Sequence, residues 1–166
     1  MIQLKELSSQ GIPAAMEKAK QYRVLNEPLN AESICLDVLA VEPGKQDALI
    51  TLILALTDQF GRKMNEKFNQ AKETVAKLED PYHQAYYEGI IAERRAKVAL
   101  KQNALGSGYV AHGWFEDAME LYEKAIELRS AGNDDPILRW NTCARIMNRN
   151  PAVKPEPRDQ VHEMLE

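Results

Sequence analysis

Apolar side chains recur along this chain at steps of three and four, and hardly anywhere at steps of two, so the pattern predicts helices almost throughout. The first covers residues 12–26 and closes before Pro28, which disfavours the α region for Glu27. The second starts at Asn30, read as its N-cap, and stops near Val41 at Pro43-Gly44. A third over 46–59 ends at Gly61, and a fourth covers 64–79. Asp80-Pro81-Tyr82 opens a long helix to Ala104, because Asp caps free N–H groups and Pro has none to lose in a first turn. Asp135-Pro136-Ile137 repeats the device and opens a helix to residue 148. Between them, Gly106 to Gly113 reads as a glycine-rich loop, followed by a helix over 114–130 and a loop at Gly132-Asn133-Asp134. Beyond Asn150, Pro151, Pro155 and Pro157 keep the tail extended, with a short helix expected from Arg158 to Leu165.

Two of these helices, AESICLDVLAV and QDALITLILAL, are strongly apolar and stand back to back, parted only by Glu42-Pro43-Gly44-Lys45. A recurring unit explains them. Within residues 12–45, Ala19, Tyr22, Ala31, Cys35, Val38 and Pro43 follow at steps of 3, 9, 4, 3 and 5. Ala71, Val75 and Leu78 repeat the steps of 4 and 3, as do Ala118, Tyr122 and Ala125. Gly89 suits a close-contact position, and Trp140, Cys143, Ala144 and Met147 keep a Trp-x2-Leu-Gly-x2-Tyr spacing. The spacing resembles the tetratricopeptide repeat, a helix–turn–helix unit of about 34 residues. That resemblance implies an all-α chain built as a right-handed superhelical stack of antiparallel hairpins, an α-solenoid. Its units fall at about 12–45, 46–80, 82–132 and an incomplete 137–166, in a domain over 1–150 with a proline-containing tail over 151–166. The chain departs from the family at several points. Cys35 and Val38 replace the usual aromatic and alanine, and the second unit is lengthened near Gly61 to Asn69. From Gly89 to Ala118 is 29 residues where the repeat has about 12, so the third unit carries about 17 extra. A non-repeating helical bundle is the rival architecture. Stacking is favoured because each hairpin is too apolar to stand solvated alone, and the charged end of the tail could cap the stack.

Composition narrows the functional classes. The 166 residues are 45% apolar and 28% charged, which suits one globular unit with a real core. The net charge of −4 argues against a general nucleic-acid binder. The N-terminal stretch lacks the layout of a secretory signal, and the longest greasy run, Ala48 to Leu56, is about half a membrane span. Cys35 and Cys143 sit in apolar helical contexts, which points to buried free thiols and a cytoplasmic home.

Little in the sequence supports catalysis. His83, His112 and His162 share no metal-ligand spacing, and Gly106-x-Gly108 follows no strand, so no catalytic residue, metal or cofactor is assigned. The run Glu93-Arg94-Arg95-Ala96-Lys97 reads as a solvated helix face. The glycine-rich segment is more informative, because it carries Tyr109, His112, Trp114 and Phe115; Tyr109 and His112 are expected to be exposed and to touch a partner. The family resemblance implies a concave groove lined by first helices. It places Met16, Lys20 and Arg23 there from the first unit and Ile50, Leu54 and Thr57 from the second. Tyr86, Tyr87, Ile90 and Arg94 follow from the third, then Asn141, Arg145 and Arg149 from the fourth. Basic ends and an aromatic middle suit a protein or peptide with acidic residues around an apolar anchor. The two-Lys, two-Asn carboxylate clamp of one subclass is not matched, since Met16, Thr51, His83 and Tyr87 stand where it needs polar or basic donors. The expected function is a non-enzymatic interaction scaffold, with no nucleic acid or membrane partner. An enzyme or small-ligand bundle with a dispersed site, and a self-associating homodimer, are the alternatives.

Overall fold

The computed structural model describes residues 1–157, so the helix expected at 158–165 lies outside the described residues. After one 3-10 turn at Ser9–Gly11, seven α-helices follow in order. They are α1 (Ile12–Val24), α2 (Pro28–Val41), α3 (Gln46–Thr57), α4 (Phe60–Val75), α5 (Pro81–Gln102), α6 (Ser107–Leu128) and α7 (Asp135–Arg149). Among the described residues there is no strand, and no helix is long and apolar enough to cross a membrane.

Local chemistry sets the turns. At the end of α1, Asn26 adopts a left-handed φ of 59°, the Glu27 N–H reaches Tyr22 O, and the Asn26 N–H reaches Arg23 O. That pair of bonds is a Schellman C-cap with Asn in the place glycine usually takes. Pro28 then opens α2, so the helix starts two residues before Asn30, whose amide instead bonds the Glu27 carboxylate at 2.5 Å. Asp80 caps α5 as the sequence implies, accepting from the Tyr82 N–H at 3.0 Å. At α7 Asp135 is the first helical residue rather than the cap, and its N–H donates to Asn133 Oδ1 at 3.2 Å. In α4 the backbone breaks helical geometry at Lys63, next to the predicted start at residue 64, and Phe60 to Arg62 form an extra turn before it.

The main correction concerns the third hairpin. The segment predicted as a glycine-rich loop is the start of α6, and only Gly106, at φ 78°, makes the turn. The extra length lies in the helices, 22 residues each in α5 and α6 against 13 and 14 in α1 and α2. Gly108 serves a close approach: a Cβ there would meet the Ala152 carbonyl oxygen at 2.1 Å. After α7 the chain thus returns across the base of α6 and buries Val153 with Ala96, Ala99, Ala111 and Phe115.

Each helix packs on its neighbours in sequence, α1 also touches α3, and α3 also touches α5. Helix α3 sits at the centre of this order. Eight of its twelve residues are buried, which is why it is apolar on every side. Ala19, Ala31, Ala71, Ala118 and Ala125 are fully buried where helices meet, as small residues at crossing points should be. The two cysteines are buried free thiols, each pushed up to about 12 by burial.

Arg95 ties α5 to its neighbours on both flanks. Its guanidinium lies 4.3 Å from the Phe68 ring of α4 and 4.5 Å from the Trp114 ring of α6, and the two rings meet edge to face at 5.6 Å. Arg95→Ala is expected to lower unfolding free energy by about 1–2 kcal/mol, read by urea denaturation. Arg95→Lys should restore only part of the loss, because an ammonium cannot stack flat between two rings.

Candidate partner-binding face

Helices α1, α3 and α5 pack in sequence, α1 on α3 and α3 on α5, and polar and aromatic contacts run along them. Lys20 on α1 meets Asp47 on α3 at 3.2 Å, with both side chains half exposed, so this pair adds little stability. Arg23 Nε donates to Asp58 Oδ2 at 2.8 Å, and Arg94 Nη1 lies 3.4 Å from Asp58 Oδ1. One carboxylate at the end of α3 is therefore shared by guanidiniums from the helices on either side. Tyr87 is half buried on the same core cluster as Ile50 of α3, and burial pushes its hydroxyl up to about 12. Tyr86 stands edge-on to Tyr87 and stacks on Tyr82, and His83 also lies against Tyr87.

A second charge cluster joins α5 to α6 and α7. The Glu93 side chain is fully buried. It accepts from the Tyr122 hydroxyl at 2.5 Å and from Arg139 Nη1 at 3.2 Å, and pairs with Lys97. Burial alone would raise the Glu93 pKa, but the bonds from Lys97 and Tyr122 and the charges of Lys97 and Arg139 hold it below its usual 4.5. Tyr122 moves far up, since burial and the adjoining carboxylate both oppose a phenolate. The Arg139 guanidinium also lies beside the Tyr86 hydroxyl, so the cluster borders the tyrosine ladder.

Lys20, Arg23, Tyr86, Tyr87 and Arg94 thus come together across α1, α3 and α5. Several expected groove residues do not join them. Ile90 is 1% exposed, and Met16 and Thr57 are also buried. Helix α3 touches α1, α2, α4 and α5, and α5 touches α3, α4 and α6, so part of the stripe that the family resemblance assigned is covered by neighbouring helices. Tyr109 and His112 are half buried in the first turns of α6, on a second helix, and His112 pairs with Glu116 at 3.4 Å; they are not on a loop. Trp114 and Phe115 pack inward with the core. Asn141 is half buried, and Arg145 and Arg149 are exposed one and two turns beyond Thr142 on α7. They form no ion pair among the described residues.

The reading of Glu93 to Lys97 as a solvated face is overturned, since Glu93 is buried and paired with Lys97 and Arg139, Arg94 shares Asp58 with Arg23, and Arg95 lies over two aromatic rings. Sequence reasoning missed Glu93 itself. One signal was there: Glu93 falls four residues after Gly89 and three before Ala96, in phase with the small residues that face α6. No protein-family model, curated protein or solved structure matches the chain.

Proposed function

We propose that this chain is a non-enzymatic interaction module, a tetratricopeptide-like superhelical stack whose first helices form a groove for a peptide or partner helix. The observation that carries the reading is that α1 packs on α3 and α3 on α5, while each also packs on the helix that follows it. A closed bundle would bring its first and last helices together; here α1 packs on α2 and α3. The α1–α3–α5 face suits a ligand with acidic groups around an apolar anchor. On it two guanidiniums, Arg23 and Arg94, are set against the one carboxylate of Asp58, and the tyrosine ladder of α5 offers contact area at little entropic cost.

The test is a displayed random-peptide library selected on the full chain. Enriched peptides should lose about tenfold or more in affinity to Tyr87→Ala and to Arg94→Gln, with melting behaviour intact. Peptides that bind both variants as well as the parent would place the binding surface elsewhere.

A further inference from the structure

Asp58 is an unexpected residue to find between two arginines on a ligand-binding face. It stands at the C-cap of α3, where the negative end of the helix dipole disfavours a carboxylate. Each arginine approaches it through a single nitrogen, Nε of Arg23 and Nη1 of Arg94. Arginine holds a carboxylate best with two parallel N–H donors, and neither guanidinium is so engaged. Arg94 Nε is buried and finds no acceptor among the described residues. Beside Asp58 a cavity of about 780 Å³ opens between the α1–α2 and α3–α4 turns, with Asn30, Gln59, Arg62 and Lys63 on its walls. Asp58 is the residue this cavity shares with the two arginines, whose side chains are about a quarter to a third exposed (23% and 33%).

We infer that Asp58 is a built-in stand-in for an acidic side chain of the ligand. A ligand Asp or Glu at this end of the groove takes the free donors of Arg23 and Arg94. Asp58 competes for those donors and repels the incoming charge, so it limits which acidic segments bind. The inference rests on the groove reading above and names the chemistry of that ligand: a peptide with a carboxylate next to the apolar residue that covers Tyr87. A purely structural tie between three helices would use the same ion pairs, and the two roles differ in what happens when Asp58 is neutralised.

Peptides enriched from the displayed library are titrated against the parent chain, Asp58→Asn, Arg23→Gln and Tyr87→Ala, with the fold of each checked by circular dichroism and melting. Asp58→Asn should bind about tenfold tighter and Arg23→Gln about tenfold weaker, the scale of one charge-assisted contact. Replacing the peptide's Glu by Gln should erase both effects. Unchanged or weaker binding by Asp58→Asn, while Tyr87→Ala still loses affinity, overturns the inference and leaves the groove standing. Failure to enrich any peptide sensitive to Tyr87→Ala removes both. Asp58→Ser is the second variant should Asp58→Asn not fold, and the Glu-to-Gln peptide contrast on the parent chain needs no variant at all.

Discussion

Glu93→Ala should lower the free energy of unfolding by roughly 3–5 kcal/mol, a large share of what holds a domain of this size together. The carboxylate is fully buried and serves three donors from three helices: Lys97 on α5, Tyr122 on α6 and Arg139 on α7. Truncation leaves two cations facing each other and a buried hydroxyl without its acceptor. Glu93→Gln should cost less, since the amide oxygen still accepts from Tyr122. The same group predicts an acid limb in the stability curve. Its folded pKa lies below its unfolded value near 4.5, so the unfolded chain binds the proton more readily. The contribution is complete above that value and is lost as pH falls through the lower, folded one. Urea denaturation between neutral pH and pH 3 should show the parent losing stability faster than Glu93→Gln. Parallel curves, or a loss under 1 kcal/mol for Glu93→Ala, would show that the network contributes little.

Gly89→Ala is the second large effect, and its sign runs against the usual rule. Within an exposed helix the change gains about 1 kcal/mol, because alanine loses less backbone entropy. Here the new Cβ would stand 2.5 Å from Cε1 and 2.8 Å from Cδ1 of Tyr122, whose ring is itself fully buried. The ring cannot retreat without dragging its hydroxyl off Glu93, so packing and polar network fail together. A net loss of about 3 kcal/mol is expected from overpacking. Because they share Tyr122, the effects of Gly89→Ala and Glu93→Ala should not add; a double-mutant cycle should return a coupling of about 1 kcal/mol or more. Full additivity would mean that the ring adjusts without loss of its bond. Gly113→Ala, where a Cβ meets nothing within 4 Å, is the matched control.

Much of the architecture was legible because helix signals are local. Pro81 and Asp80 mark the start of α5, Pro43-Gly44 parts α2 from α3, and apolar steps of three and four define the rest. Glycine misled in one region. Gly106, Gly108 and Gly113 read alike as loop formers, yet only Gly106 bends the chain, and Gly108 is in a helix beneath the Ala152 carbonyl. A glycine required by a neighbour 44 positions away carries no local mark of that need.

The candidate face divides along the same line. Lys20, Arg23, Tyr86, Tyr87 and Arg94, which the family resemblance assigned to one groove, lie on α1 and α5 on either side of α3. Asp58, which engages Arg23 and Arg94, and Glu93, which engages Lys97 and Arg139, were not assigned from the sequence. What the sequence by itself determined is the run of seven helices between residues 12 and 149 and their order, because turn chemistry and apolar period act over a few residues. Tertiary structure alone decided which charge meets which: Arg23 and Asp58 are 35 positions apart, Glu93 and Arg139 46. Such pairs depend on how adjacent hairpins cross, and a few ångströms of sliding would trade every partner.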